Sequence, residues 1–330
     1  MSETKTPYDS LSPDVILNAV ESLGLRCSGS LTALNSYENR VYQVGIEDAE
    51  PLVAKFYRPA RWSDAAIIEE HAFALELKAL EIPVIAPLIM NENTLHTFQD
   101  FRFALFPRKG GRALEVDNME QLEQMGRFIG RIHAVGCVRP FQHRIHINAE
   151  TYGYQPYRFL LENNFVPPEL LHNFSSTTET VLQLISDHLQ AASDIPVIRL
   201  HGDCHAGNIL WSRDALHIVD LDDCLMGPAV QDIWMMLSGS AADTKLQLKH
   251  ILTGYEEFHD FNFRELHLIE ALRTLRMIHY AGWLAKRWED PTFPANFPWF
   301  NEPRYWENLL NNLREQVEIL ELQDEQEKNF

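Results

Sequence analysis

The sequence contains no long apolar run. No stretch approaches the roughly 20 uncharged apolar residues that a membrane-spanning helix needs. The first residues, MSETKTPYDSLSP, lack the basic start and the apolar segment of a signal peptide. We therefore expect a cytoplasmic protein that has no membrane partner.

Cysteine is scarce, and the cysteines are not paired in the sequence. Cys27, Cys137, Cys204 and Cys224 lie far apart and form no C-x-x-C motif. Disulfide frameworks and structural zinc sites are usually recognised by regularly spaced cysteines. The sequence therefore predicts free, reduced thiols.

Basic residues are few relative to acidic ones. The chain has 28 Lys and Arg against 47 Asp and Glu, a formal net charge of −19, and no segment gathers Lys and Arg into a cluster. Binding to a nucleic-acid backbone requires a basic face that neutralises phosphates. We therefore expect no nucleic-acid partner, and we also expect a monomer.

The chain has the size and composition of a globular protein with two lobes. It has 330 residues, of which 45% are hydrophobic. In the first third, RVYQV and the run Leu52–Pro59 predict two strands, Ser63–Glu81 predicts one helix, and TLHTF and FRFALFP predict two further strands. We expect an α+β fold in which residues 1–107 form a small mixed lobe with an antiparallel sheet and one helix.

The remainder of the chain is predicted to be mainly helical. Segments such as NMEQLEQMGRFIGRIHAVG and Thr177–Ala192 repeat apolar residues at helical spacing. A short buried strand is predicted in ALHIVDLDD. We expect residues 108–330 to form a second, larger lobe.

The stretch RLHGDCHAGNIL, from Arg199 to Leu210, concentrates polar side chains suited to chemistry. His201, Cys204 and His205 suggest a zinc site, but structural zinc sites arrange their ligands in paired C-x₂₋₄-C and H-x₃₋₅-H blocks. Cys204 as a nucleophile is a second possibility. The surrounding residues do not resemble the signatures of cysteine hydrolases, and a small buried thiol explains Cys204 more simply. We favour neither interpretation.

The spacing of Asp203 and Asn208 favours a third interpretation. It matches the kinase catalytic loop H-R-D-x-x-x-x-N, and His201 stands two residues before the aspartate. In such a loop the Asp accepts the proton of the attacking hydroxyl, and the Asn holds Mg²⁺. Asp220, at the end of the predicted strand, supplies the second carboxylate that the metal needs. The pattern predicts a phosphotransferase with Asp203 and Asp220 as catalytic residues and Asn208 and Asp220 as metal ligands.

A phosphotransferase that uses ATP also needs a cation for the phosphates. Lys55 lies in the second predicted strand, where the Lys that pairs with the α- and β-phosphates belongs, and a helix Glu should hold it. Glu69 and Glu70 point about 100° apart on a helix, so one of them can face Lys55. We choose Glu70, because it precedes the apolar helix face that begins at Phe73.

The loop that covers the phosphates does not follow the glycine-rich pattern G-x-G-x-x-G. In its place stands LNSYENRVY, which contains no glycine. Ser36 and Asn39 in this stretch can offer hydrogen bonds to phosphate oxygens. A solvated hairpin turn would use the same residue types, and this alternative stays open.

Several stretches resemble known phosphotransferases. HGDCHAGNIL and IVDLDD are similar to the aminoglycoside phosphotransferase and choline kinase group, whose members have the protein-kinase-like bilobal fold. The chain further resembles the bacterial stress response kinase A family of YihE/RdoA-type protein kinases in LNSYENRVYQV, in VAKFYRP with the RW that follows one residue later, and in EEHAFAL, LHGDCHAGNILW, GPAVQDIWM and FPANFPW. The similarity runs from about Leu11 to Leu309.

This resemblance implies ATP- and Mg²⁺-dependent phosphorylation of protein Ser/Thr hydroxyls in a bacterial stress response. Matched by motif, it makes Asp203 the catalytic base, Asn208 and Asp220 the Mg²⁺ ligands, Ser36 a nucleotide contact and Lys55 the phosphate-binding lysine. The DFG triplet and APE segment of ordinary protein kinases are missing, which argues against control by activation-loop phosphorylation.

Two other functions can be set against this one. A small-molecule kinase that acts on an aminoglycoside, choline or a sugar would use the same loop, because the loop serves any hydroxyl acceptor. Its acceptor pocket would be lined by aromatic segments such as RTLRMIHYAGWLAKRW and FPANFPWF. A non-catalytic binding protein is disfavoured, because Lys55, Asp203, Asn208 and Asp220 are all present.

Overall fold

The computed structural model describes residues 7–212 and 216–328 of the chain. The first six residues, which carry part of the stretch examined for a signal peptide, lie outside the described residues. The lobe boundary after residue 107 stays a prediction. Contacts divide the chain into two compact units. The first unit comprises Met1–Arg144, Arg199–Cys224 and Met235–Asp260, and the second comprises Ile145–Ile198, Leu225–Trp234 and Phe261–Phe330.

Strands are concentrated in the first third of the chain, and helices follow. The described strands are β1 (Cys27–Leu34), β2 (Arg40–Ile46), β3 (Leu52–Phe56), β4 (His96–Phe98), β5 (Phe101–Pro107), β6 (Arg112–Ala113), β7 (Ile198–Leu200), β8 (Ile209–Trp211), β9 (Leu216–Ile218) and β10 (Leu225–Gly227). The described α-helices are α1 (Pro13–Glu21), α2 (Asp64–Ala79), α3 (Met119–Gly136), α4 (Gln155–Glu162), α5 (Leu171–Ala191), α6 (Val230–Trp234), α7 (Ala241–Tyr255), α8 (Ile269–Ala285), α9 (Thr292–Asn296) and α10 (Pro303–Lys328).

An antiparallel sheet of five strands lies in the first unit, in the order β1-β2-β3-β5-β4. Val44, Phe56 and Phe103 of this sheet belong to one buried apolar cluster. Lys55 pairs in register with Val41 of β2 and with Ala104 of β5. Because side chains alternate along a strand, Lys55 lies on the opposite face of the sheet from Phe56.

Helix α1 is an addition to the one helix predicted in this region. Its start carries strong helix signals, because the Ser12 side chain caps the first turn, Pro13 occupies the first position and Asp14 follows. Ile16 and Val20 of this helix pack into the same apolar cluster as the sheet. The helix therefore covers the sheet face opposite Lys55.

Helix α2 follows its prediction closely. The predicted range was Ser63–Glu81, and the observed helix begins after Ser63, whose side chain caps it. The helix ends before Glu81, which has a left-handed backbone with φ 58°. Glu70 is among the buried residues of the helix, so it faces the interior of the first unit.

Helices α3 and α7 pack with their backbones in close contact. A Cβ atom added at Gly126 or Gly130 of α3 would lie 2.0 or 2.5 Å from a backbone carbonyl oxygen of α7. A Cβ atom at Gly254 of α7 would lie 1.9 Å from a backbone oxygen of α3. The three glycines thus remove the side chains that would keep the helices apart.

A second antiparallel sheet, in the order β6-β8-β9, carries the segment with the predicted loop. Ile209 at the start of β8 pairs with Ile218 at the end of β9. This register brings the chain before β8 next to the chain after β9. The strand predicted in ALHIVDLDD begins at Ala215, which lies outside the described residues.

The second unit is mainly helical. Helix α10 packs against α5 and α8, and the Thr274 hydroxyl of α8 donates a hydrogen bond of 2.8 Å to Gln316 of α10. Phe293, Phe300 and Trp306 are buried in this unit. Aromatic residues of FPANFPWF therefore contribute to the core. Among the described helices, none combines the length and the apolar character that crossing a membrane requires.

Candidate active site

A cavity of about 350 Å³ lies in the first unit, against the sheet face that carries Lys55. Its volume is in the range of small-molecule sites. Part of the lining is apolar and includes Val53, Leu210 and Val219. The polar lining includes five residues predicted from the sequence, namely Ser36, Lys55, Glu70, Asn208 and Asp220.

Lys55 is buried and lies among three carboxylates, of which those of Asp222 and Glu70 are buried too. Its Nζ lies 3.0 Å from Asp220 Oδ1, 3.0 Å from Asp222 Oδ1 and 3.9 Å from Glu70 Oε1. Burial alone would lower the pKa of Lys55, but these carboxylates outweigh burial and hold that pKa well above its ordinary value. Lys55 therefore provides a fixed positive charge on the wall of the cavity.

Two adjacent glutamates of α2 have different partners. Glu70 is buried and faces Lys55, and burial raises the pKa of Glu70 to about 7 while Lys55 acts in the opposite direction. Glu69 accepts hydrogen bonds from the backbone N–H groups of Gln142 at 2.6 Å and His143 at 2.8 Å. The structure thus brings Glu70 to Lys55, and the role of this pair in nucleotide binding stays a prediction.

A third glutamate of α2 is paired with the strand that leads into the loop. Glu76 Oε2 lies 2.8 Å from Arg199 Nη1 and 2.9 Å from Arg139 Nη2. The guanidinium of Arg199 also lies 4.5 Å from the ring centroid of Phe73, another residue of α2. Arg199 stands two residues before His201, so these contacts tie α2 to the start of the loop.

The loop around Asp203 is held by hydrogen bonds from its own side chains. His201 Nε2 donates to the Val219 carbonyl at 3.0 Å, and its Nδ1 accepts from the Asp203 N–H at 3.3 Å. Asn208 Nδ2 donates to the Asp203 carbonyl at 3.0 Å and lies 3.4 Å from Asp203 Oδ2. Both ring nitrogens of His201 are used in this way, so His201 supports the loop.

His205 also reaches the carboxylate of Asp203. Its Nδ1 accepts a hydrogen bond of 3.0 Å from the Gly207 N–H, which places the proton of the neutral ring on Nε2. This Nε2 lies 3.4 Å from Asp203 Oδ2. His205 can therefore donate a hydrogen bond to the carboxylate, a contact that the loop signature does not predict.

Asp220 lies two residues beyond β9 and has a left-handed backbone with φ 61°. This conformation costs energy in a residue other than glycine. The N–H of the preceding Val219 donates to the Asn208 carbonyl at 3.0 Å, so Asp220 lies beside Asn208. The Asp220 side chain is 52% exposed and lines the cavity.

Asp222 is a charged residue of the site that the motif does not identify. It is buried, and its Oδ2 accepts from Asn39 Nδ2 at 3.1 Å and from the guanidinium of Arg61. Burial would raise the pKa of Asp222, but Arg61 and Lys55 hold it well below its ordinary value. A signal was present in the sequence, because LDD follows a short strand and gathers carboxylates there.

The two polar residues predicted for the phosphate loop have different surroundings. Ser36 lines the cavity. Asn39 is 3% exposed, and its Nδ2 donates to Asp222 while its Oδ1 accepts from the Arg58 N–H at 3.0 Å. A nucleotide contact from the Asn39 side chain would require these bonds to break, so the structure favours a supporting role for this residue.

The polar lining has the donor atoms that Mg²⁺ and a nucleotide triphosphate need. Asn208 uses its Nδ2 within the loop, which leaves its Oδ1 for a cation, and Asp220 offers a carboxylate next to it. In nucleotide sites Mg²⁺ is held by one or two such oxygens together with phosphate oxygens and water. Lys55, 3.0 Å from Asp220, can meet the same phosphates.

Comparison of sequences gives relatives along most of the chain. Residues 30–269 match the family described as "Phosphotransferase enzyme family". The chain is 44% identical over 321 residues to stress response kinase A of Escherichia coli (strain K12), with 97% of each chain covered. It is also 44% identical over 320 residues to serine/threonine protein kinase RdoA of Salmonella typhimurium (strain LT2), again with 97% of each chain covered.

Solved structures of similar fold are more distant in sequence. Amicoumacin kinase hAmiN, in complex with AMP-PNP, Ca²⁺ and Ami, has a TM-score of 0.70 at 18% identity, with 93% of this chain and 94% of that chain covered. Spectinomycin phosphotransferase APH(9)-Ia, in complex with ADP and its antibiotic, has a TM-score of 0.61 at 14% identity, with 94% and 98% covered. The predicted α+β, kinase-like fold is thereby confirmed.

Proposed function

Because this chain belongs to the phosphotransferase enzyme family, we propose that it transfers the γ-phosphoryl group of ATP to Ser and Thr hydroxyls of a protein in a bacterial stress response. The observation that carries the proposal is the convergence of Lys55, Asn208 and Asp220 on one cavity, with Asp203 in the adjoining loop. Relatives named stress response kinase A and serine/threonine protein kinase support the protein acceptor.

Each polar residue has a distinct task in this proposal. Asp203 accepts the proton of the acceptor hydroxyl, and His205 and the Asn208 amide orient its carboxylate. Asn208 and Asp220 hold Mg²⁺, which neutralises phosphate charge when it is bound. Lys55 binds phosphate oxygens as a fixed cation.

Binding of the nucleotide changes the partners of Lys55. The ammonium group has three N–H donors. Asp222 is buried and held by Arg61, so it keeps its bond to Lys55, whereas the exposed carboxylate of Asp220 is able to turn toward the metal. One donor of Lys55 then becomes available for a phosphate oxygen. Ser36, on the loop between β1 and β2, contacts the phosphates through its hydroxyl.

The proposal extends to the setting in which the enzyme works. We propose a non-specific serine/threonine protein kinase that acts as a monomer in the cytoplasm. The net charge of −19 supports an acceptor segment with basic residues, because an acidic surface attracts basic partners. Gel filtration of the full chain at micromolar concentration is expected to give one peak at the monomer mass.

Transfer from labelled ATP tests the proposal. The full chain is incubated with Mg²⁺ and labelled ATP, and either generic basic proteins or a panel of aminoglycosides, choline and sugars is the acceptor. We expect label on protein Ser and Thr, identified by mass spectrometry, and no label with Asp203→Asn as the matched control. Label found on a small molecule alone would refute the protein acceptor and support a small-molecule kinase. No transfer to any acceptor would refute phosphotransfer itself.

A further inference from the structure

Arg61 lies beside the proposed metal ligand without lining the cavity. Its Nη1 donates to Asp222 Oδ2, its Nη2 donates to Asp223 Oδ1, and its Nε lies 3.8 Å from Glu38 Oε2. Its side chain is 11% exposed. One guanidinium thus holds both acidic residues of the short helical turn Leu221–Asp223, which starts directly after Asp220.

A second arginine holds the backbone of the same segment. Arg144 Nε donates to the Cys224 carbonyl at 2.8 Å, and Arg144 Nη2 donates to the Asp222 carbonyl. The guanidinium of Arg144 lies 3.9 Å from the ring centroid of Trp62, and that of Arg61 lies 5.3 Å from the same ring. The turn is therefore held through its side chains by Arg61 and through its main chain by Arg144.

The conformation of Asp220 depends on this support. A left-handed aspartate persists where the surrounding structure holds it, because the conformation costs energy. The backbone at Asp220 sets the position from which its carboxylate reaches the cavity. The same turn carries Asp222, whose Oδ1 lies 3.0 Å from Lys55 Nζ. Movement of the turn would therefore displace a metal ligand and the phosphate-binding lysine together.

We infer that Arg61 is a positioning residue for phosphoryl transfer, which holds the backbone that carries Asp220 and the Lys55 ammonium in place relative to each other through Asp222 and Asp223. This inference rests on the proposed function of Asp220 and Lys55. An arginine suits the task because its planar fork meets two carboxylates at once, whereas a lysine is a point charge. The residue is far from the loop motif in the sequence, and it stands in the RW pair that follows VAKFYRP.

Nucleotide binding gives a readout that does not depend on turnover. The Mg²⁺ concentration needed for half-maximal ATP binding is measured by titration calorimetry for the wild type, Arg61→Gln and Arg61→Lys. Partners that orient metal ligands typically contribute 10–100-fold to metal affinity or activity. We expect Arg61→Gln to raise the Mg²⁺ requirement about tenfold or more, and Arg61→Lys to raise it less. Arg264→Gln is the control and should leave the Mg²⁺ requirement unchanged, because Arg264 donates two hydrogen bonds to Asp194 away from the site and is 60% exposed.

Steady-state kinetics separate positioning from a general loss of structure. Arg61→Gln should lower kcat and leave the KM for the acceptor protein unchanged, because the Arg61 side chain is 11% exposed and its partners are Asp222 and Asp223. A folded Arg61→Gln protein with the wild-type Mg²⁺ requirement would overturn the inference. If Arg61→Gln does not fold, Asp223→Ala is the second variant. It removes one of the two carboxylates that Arg61 holds, at a side chain that is 42% exposed. An unchanged Mg²⁺ requirement in Asp223→Ala overturns the inference equally. Absence of transfer by the wild type would instead overturn the proposed function.

Discussion

The substitution Gly126→Ala is expected to destabilise the protein, although alanine forms helices better than glycine by about 1 kcal/mol. The added Cβ would lie 2.0 Å from the Ile251 carbonyl oxygen and 2.8 Å from the carbonyl carbon, whereas ordinary contact begins at 3.4 Å. A backbone carbonyl cannot rotate aside as a side chain can, so α3 and α7 would have to separate. Overpacking costs about 1–3 kcal/mol, and the upper end applies here. The net loss of stability is therefore about 2 kcal/mol.

Calorimetric melting of the full chain measures this loss. At roughly 2–4 °C for each kcal/mol, Gly126→Ala should lower the Tm of the transition that unfolds α3 and α7 by about 4–8 °C. Gly110→Ala is the matched control, because a Cβ at Gly110 meets no atom within 4 Å, and its Tm should equal that of the wild type. A Gly126→Ala protein that melts at or above the wild-type temperature would refute the close helix contact as the reason for glycine.

Three further predictions concern the loop and a buried histidine. Asp203→Asn should abolish transfer and preserve Mg²⁺-dependent ATP binding in calorimetry, and retained transfer would exclude Asp203 as the base. The longer amide of His205→Gln places a donor near Asp203, as Nε2 does, whereas the shorter amide of His205→Asn reaches only the Gly207 N–H. The kcat of His205→Gln should therefore be higher than that of His205→Asn, and equal kcat values would exclude a role for Nε2. Burial and Lys55 lower the pKa of His71 from 6.5 to about 3, so in the range between these values the unfolded chain binds a proton that the native protein does not. The stability that neutral His71 contributes is therefore lost as the pH falls below about 6.5. In urea unfolding, the free energy of unfolding of the wild type should fall by about 2 kcal/mol relative to that of His71→Gln between pH 7 and pH 5. A difference between the two proteins that does not change with pH would contradict this prediction.

The stretch proposed as the catalytic loop could be singled out from the sequence because its information is local. Asp203, Asn208 and Asp220 lie within one short stretch, and the chemistry of phosphoryl transfer fixes both their types and their spacing. The apolar alternation of the strands then brings Asn208 and Asp220 together in the register of β8 with β9. The fold class followed in the same way from the order of strands and helices.

The charge cluster behind Lys55 could not be predicted, because its members come from distant segments. Arg61 and Asp222 are 161 residues apart in the chain, and Asn39 and Asp222 are 183 residues apart. No spacing rule connects such residues. Burial decides which carboxylate an arginine meets, and burial depends on how the sheet and the loop pack.

Asn39 illustrates a second limit of the sequence. Its amide has one acceptor and two donors, which suit a phosphate group and a buried aspartate equally well. The residue type in a turn therefore predicts that a hydrogen bond is made, but it does not predict which group is the partner. The structure supplies Asp222 and the Arg58 N–H as those partners.

Helix α2 is held by three carboxylates along its length. Glu69 binds the backbone of residues 142 and 143, Glu70 faces Lys55 and Glu76 pairs with Arg199. A rotation of α2 that withdrew Glu70 from Lys55 would also break the other two attachments. The Glu69 and Glu76 contacts therefore oppose any motion of α2 that would separate Glu70 from Lys55.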